Sequence, residues 1–160
     1  LGPYKDKSWP ATKKAIAAMI TRMDADVGKI LKLLKDLKLD ENTLVIFTSD
    51  NGGMFNIGGQ DAWDAGHRLN GELLGFKFGA WEGGHRVPFI AKWPGSIPAG
   101  TVSDGLFSHL DLMATFAAIT GQQLPANAGE DSYSFLPQLI IIVIKKSEIK
   151  ICFIIIFNPD

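Results

Sequence analysis

Residues 44–53 read Leu44-Val45-Ile46-Phe47-Thr48-Ser49-Asp50-Asn51-Gly52-Gly53, and this stretch decides the fold class. Four consecutive apolar residues, short and β-prone, describe a strand buried on both faces rather than one. Such a strand belongs inside a sheet covered by helices. We therefore expect an α/β architecture with a mixed, mostly parallel sheet flanked by helices. Polar residues follow the apolar run directly, and in open α/β sheets ligands bind at the carboxyl ends of strands.

Upstream, Pro10 to Leu39 carries Ile16, Met19, Ile20, Met23, Val27, Ile30, Leu31, Leu34 and Leu37 at three- and four-residue spacings. That is the apolar stripe of an amphipathic helix. Pro10 suits its first turn, and Lys32, Lys35 and Lys38 suit the negative end of its dipole. Asp40-Glu41-Asn42 reads as a turn into the strand. Downstream, residues 52–86 are glycine-rich with scattered aromatics and little periodicity. Loops of that length in compact domains are usually functional or disordered, and Trp63, Phe76, Phe78 and Trp81 favour an ordered, functional one. Val87 to Trp93 reads as a second strand, with Pro88 near its start and Pro94-Gly95 ending it. Ser108 followed by Asp111 resembles a capping box opening a helix through Thr120, and Gly121 suits the position after its end.

The last stretch differs in kind. Isoleucine dominates 139–157, with Lys145, Lys146, Glu148 and Lys150 interrupting it. Neither apolar piece reaches the ~20 residues of a membrane-spanning helix. A buried hairpin and a segment from a shifted reading frame are the other two readings. We divide the chain into a folded domain at 1–139 and an Ile-rich tail at 140–160, expected to stand apart from the core.

Composition narrows the function. The 160 residues carry a net charge of −1, which argues against a nucleic-acid face and a polybasic membrane patch. Cys152 is the one cysteine, so no internal disulfide forms. Residues 1–4 show neither the basic nor the apolar segment of a signal peptide, and none is expected in this chain.

Asp50-Asn51 is the first candidate site. A carboxylate and an amide oxygen are hard ligands suited to Ca²⁺ or Mg²⁺, although Asp-Asn-Gly also occurs in plain turns. Lys77, between Phe76 and Phe78, offers a point charge to an anion; a solvated lysine packing its stem on a ring is the simpler alternative. His67 is a candidate acid, base or donor. His85 reads as a surface or structural residue, and His109 has no evident role. The three histidines form no metal-binding spacing. No Gly-x-Ser-x-Gly elbow or phosphate-binding loop is present.

In order, Thr48-Ser49-Asp50-Asn51-Gly52, then Leu74-Gly75-Phe76-Lys77-Phe78-Gly79-Ala80-Trp81-Glu82-Gly83-Gly84-His85-Arg86-Val87-Pro88, then Trp93-Pro94-Gly95 and Ser108-His109-Leu110-Asp111-Leu112 resemble the type I sulfatases of the alkaline-phosphatase superfamily. The resemblance covers roughly 1–139 and implies that this stretch is part of a catalytic domain. It implies that Asp50 and Asn51 ligate calcium, that Lys77 binds the sulfate group, and that His67 lies near the substrate. It implies hydrolysis of a sulfate ester, on a sulfated glycan or another sulfated compound, in a secreted, periplasmic or lysosomal protein. The family nucleophile is a formylglycine made from Cys or Ser in Cys/Ser-x-Pro-x-Arg. Here Cys152 precedes Phe153-Ile154-Ile155, and no serine heads such a motif. The chain taken alone is therefore expected to be inactive. A phosphodiesterase or phosphonate hydrolase of the same superfamily and an inactive truncated product are the alternative readings.

Overall fold

The computed structural model describes residues 1–56 and 58–139, and the backbone of 150–156. Helices and strands are mixed, as the sequence predicts. The first long element is α1 (Ala11–Asp36). Pro10 sits just before it, and its carbonyl accepts the Lys14 N–H at 3.1 Å. Beyond the C-terminus, Lys38 takes φ 55°, a left-handed residue that stops the helix short of the predicted Leu39. The predicted apolar stripe is only partly covered. Ile16, Met23, Val27, Leu31 and Leu34 are half-buried, while Met19, Ile20, Ile30 and Leu37 are exposed.

After a short turn at Asp40–Asn42, β1 (Thr43–Ser49) is the central strand of a three-stranded sheet, between Phe89–Lys92 (β2) and Lys150–Ile156 (β3). Leu44 and Ile46, on one face, and Thr48 have no exposed surface, and Val45 on the other face has 6%. Burial of both faces is what the unbroken apolar run predicts. β2 (Phe89–Lys92) lies at one edge and alternates between half-buried and exposed. It is shorter than the predicted Val87–Trp93, because Pro88 cannot donate to a ladder.

The Ile-rich tail was expected to stand apart, but the backbone of Lys150–Ile156 forms β3, beside β1. Its β-branched residues favour extended backbone, which gives a physical reason for a strand here. Residues 140–149 and 157–160, with the β3 side chains, lie outside the described residues, and the rest of that expectation falls on them. Among the described residues no helix is long and apolar enough to cross a membrane.

The chain falls into two compact units. One is built mainly on Leu1–Asp36 and Phe47–Ile90, the other on Leu37–Ile46 and the stretch from Ala91. Within the second, the predicted capping box is present. Ser108 Oγ accepts the Leu110 N–H at 3.2 Å, and Asp111 Oδ2 accepts the Ser108 N–H at 2.7 Å. This opens α4 (Leu112–Thr120), which ends on Gly121 at φ 67°. The same carboxylate accepts the Tyr133 N–H at 2.9 Å through Oδ1. Thr115, fully buried, donates to the Asp111 carbonyl and accepts the Phe135 N–H at 3.0 Å. Phe135 then stacks on Phe107 at 4.3 Å.

Asp111 thus caps α4 and holds the segment around Tyr133. The Ser108 N–H, then the Tyr133 N–H, hold its carboxyl below the ordinary value of 3.8, against a smaller opposing effect of burial. A depressed folded-state pKa stabilises above the unfolded value and ceases to do so as pH falls through the folded one. We expect Ser108→Ala to destabilise by ~1 kcal/mol. The stability gap between wild type and Asp111→Ala should be constant above about pH 5 and close below about pH 4. Denaturant melts across pH measure both, and a gap independent of pH down to the acid limit would refute the role of the charged carboxylate.

Candidate functional site

All four candidate residues lie in the first unit, on or beyond the end of β1. The polypeptide from 52 to 86, expected as a long ordered loop, also carries short helices. It contains α2 (Gly59–Asp64) and the one-turn α3 (Glu82–His85). Phe55, Trp63 and Phe76 form an aromatic cluster with ring centroids 4.5 to 6.4 Å apart. That spacing is ordinary for stabilising edge and tilted ring pairs. Trp63 and Phe76, with Phe55, thus help order this segment, while Phe78 and Trp81 are exposed.

The strand end and the lysine loop are joined through backbone. The Gly52 N–H donates to the Gly84 carbonyl at 3.0 Å, and the Lys77 N–H donates to the Gly53 carbonyl at 3.0 Å. A Cβ on Gly52 would overlap the carbonyl of Gly83, and one on Gly83 would overlap the carbonyl of Gly75. One on Gly84 would sit 2.6 Å from the Gly79 oxygen. Only glycine permits these approaches. Glu82-Gly83-Gly84 therefore works here as a packing device that docks the loop on the strand end.

Asn70, which sequence reasoning passed over, braces the same junction. Its Oδ1 accepts the Gly53 N–H and its Nδ2 donates to the Gly75 carbonyl, both at 2.8 Å. The Asn70-Gly71 dipeptide marks a turn in sequence, but nothing in it foretells a side chain bridging two distant backbone groups.

Asp50 is exposed and Asn51 half-buried. The Asn51 Nδ2 donates to the Gly52 carbonyl at 2.9 Å, and the Ser49 hydroxyl donates to the Asn51 carbonyl at 3.0 Å. With its nitrogen held in that bond, the amide oxygen is the ligand-type atom Asn51 can offer. The pair suits a hard cation in kind and supplies two of the roughly six to eight oxygens calcium takes. Among the described residues no group of three His, Cys, Asp or Glu side chains converges to complete a metal shell.

Lys77 is half-buried, and its Nζ lies 5.2 Å from the centre of the Phe78 ring. Lys77 and Phe78 are the middle residues of a tight turn closed by the Gly79 N–H on the Phe76 carbonyl at 3.0 Å. Phe78 occupies it at φ 75°, a left-handed conformation costing a non-glycine residue roughly 1–2 kcal/mol. His67 is exposed and follows α2, with its backbone N–H on the Ala62 carbonyl at 2.8 Å. Beside it the Arg68 guanidinium lies 3.8 Å above Trp63. Among the described residues no hydrogen bond ties His67 to Asp50, Asn51 or Lys77. The structure therefore joins Asp50-Asn51 to the Lys77 loop and leaves His67 on a separate turn. His85 ends α3 and is exposed.

Comparison with known proteins gives the following. The family profile described as Sulfatase matches residues 5–122. The chain is 39% identical over 127 residues to an N-acetylgalactosamine-6-O-sulfatase of Bacteroides thetaiotaomicron, covering 76% of this chain and 24% of that protein. It is 42% identical over 125 residues to the N-acetylgalactosamine-6-sulfatase of Canis lupus familiaris, covering 76% and 22%. Among solved structures it resembles Ps i-CgsB in complex with a neocarrahexaose, with a TM-score of 0.71, 35% identity, and coverage of 81% and 27%. The chain thus spans about a quarter of the length of the relatives it matches.

If the glycine contact sets the junction, Gly52→Ala should cost on the order of 3 kcal/mol, since backbone must move to admit the methyl group. Asn70→Ala should cost about 1–3 kcal/mol by stranding two backbone groups. Gly71→Ala is the control: it meets open space at φ 57° and should cost only about 1–2 kcal/mol from its left-handed backbone. Urea unfolding separates the three, and a Gly52→Ala loss no larger than that of Gly71→Ala would remove the contact from consideration.

Proposed function

The chain belongs to the sulfatase family, and from that premise we propose that it carries the charge-binding part of a site that hydrolyses sulfate esters of a glycan. Asp50 and Asn51 are the metal ligands, Lys77 receives the sulfate, and calcium is the cation. The backbone bond from Lys77 N–H to the Gly53 carbonyl carries this reading. It holds the loop of the one cation singled out in sequence against the turn that bears the two hard-oxygen donors.

The chemistry follows from charge. A sulfate ester bears negative charge on its free oxygens, and charge shifts toward the leaving oxygen as the S–O bond breaks. A calcium ion, when bound, supplies positive charge to those oxygens. Lys77 adds a second positive charge whose backbone is already in place, so little reorganisation is needed as charge moves. Asp50 contributes the formal negative charge that draws a hard cation to the turn. His67, exposed and on its own turn, is assigned to the outer part of the substrate site. The family's formylglycine nucleophile requires a Cys/Ser-x-Pro-x-Arg motif, which residues 1–160 do not contain. These residues therefore bind and orient, and the 160-residue chain should not turn over an aryl sulfate. The glycan assignment draws on the relatives that act on N-acetylgalactosamine 6-sulfate.

Two substitutions separate the roles. In a longer form of the protein that completes the metal shell, Asp50→Ala should weaken calcium binding in calorimetric titration, while Lys77→Ala should leave it unchanged. In a form of the protein that includes the nucleophile motif, Lys77→Ala should lower turnover by about 10²–10³, as loss of an oxyanion donor does. Wild-type calcium affinity in Asp50→Ala together with wild-type kinetics in Lys77→Ala would end the assignment.

A further inference from the structure

The ring of Phe78 is the part of the lysine loop that packing does not explain. It is 76% exposed, yet it occupies a left-handed position that glycine would fill without strain. Burial of the ring does not offset that strain. Its backbone is nevertheless well fixed. The Gly79 N–H closes the turn on Phe76, Phe76 is locked against Phe55 and Trp63, and Lys77 is bonded to Gly53. The result is an exposed aromatic face held at a defined place, with the Lys77 ammonium 5.2 Å from its centre.

We infer that Phe78 is a stacking platform for the pyranose that carries the sulfate group, the sugar ring lying on Phe78 while the sulfate oxygens meet Lys77. This rests on the sulfate-ester reading of Lys77 given above. A sulfated sugar has adjoining anionic and apolar surfaces, matching a cation beside an aromatic face. The C–H face of a pyranose is slightly positive and complements the negative face of the ring. Exposure favours a sugar over an aryl or sterol group. A pyranose stacked on an open ring keeps its hydroxyls in water, whereas a wholly apolar group gains most from an enclosed pocket. Inorganic sulfate would engage Lys77 alone.

The test uses the 160-residue chain and NMR titrations with three probes: inorganic sulfate, N-acetylgalactosamine 6-sulfate and 4-nitrophenyl sulfate. The sulfated sugar should bind about three- to ten-fold more tightly than inorganic sulfate, the range a single aromatic contact supplies. Phe78→Gly should abolish that advantage, leave inorganic sulfate affinity as it was, and raise rather than lower the melting temperature. Phe78→Trp should retain the advantage, and Lys77→Ala should weaken all three probes. If Phe78→Gly leaves sugar affinity unchanged while Lys77→Ala weakens it, the platform is refuted and the sulfate reading stands. A Phe78-dependent gain confined to the aryl sulfate refutes the sugar as occupant. Binding of no probe, or binding indifferent to Lys77, refutes the sulfate reading and this inference with it.

Discussion

Where β1 ends, the backbone at Gly52 lies against the backbone of Gly83 with no room for a methyl group between them. The docking of the lysine loop on the strand end depends on this contact. It allows the Gly52 N–H to reach Gly84 and the Gly53 carbonyl to reach Lys77. A junction made by main chain is stiffer than one made by side chains, because neither partner has rotamers to populate. Gly52 follows the buried strand end at Thr48 within the same unit, and its contact passes that rigidity to the loop. The aromatic cluster at Phe55, Trp63 and Phe76 secures the loop's other side. Lys77 is thereby carried on a support fastened at two points.

The second unit adds directional polar bonds to its apolar core. Its buried apolar residues include Leu44, Val45, Ile46, Trp93, Leu112, Ile119 and Phe135. Asp111 and Thr115 each serve two backbone groups, one near α4 and one in the segment at 133–135. Each such bond contributes modestly in net terms, yet breaking one strands a partner at a larger cost. That asymmetry makes these side chains sensitive positions despite a location far from the candidate ligands in sequence.

Much of this was legible in the sequence because the relevant signals are local. The unbroken apolar run gave a strand buried on both faces, the three- and four-residue spacing gave α1, and Ser108 with Asp111 gave a capping box. Each depends on residues within one or two turns of one another. What escaped reading depends on distance. The partial exposure of Met19, Ile20 and Leu37 is a matter of what covers α1, which periodicity does not contain. The short helices α2 and α3 are too brief to show a period. β3 rose from a segment whose composition broke with the rest. Asn70 bridges Gly53 and Gly75, and no pairwise spacing announces that a side chain will find two backbone groups at once. The glycines of 83–84 were legible as a family signature before their physical reason, contact with another glycine some thirty positions earlier, was visible.

The division of labour at Lys77 has a consequence for how such a site discriminates. Its main chain is fastened to Gly53, so the origin of the charge is set when the chain folds. Its side chain keeps four carbons of reach, and a lysine ammonium attracts as a point charge without the fixed angular demands of a guanidinium. Positive charge of that kind favours any small oxyanion and by itself distinguishes few of them. Discrimination must then come from groups whose shape is fixed, since a rigid contact rewards only a ligand that fits it without rearrangement. In this loop the fixed group is the ring at Phe78, held by a turn that tolerates it only under strain. A strained residue persists where the surrounding structure over-determines it, and here two backbone bonds and two ring contacts do so. The loop thus pairs a permissive charge with a restrictive surface on adjacent residues, and recognition of an anionic ester requires both: the charge for the sulfate and the surface for what the sulfate is attached to.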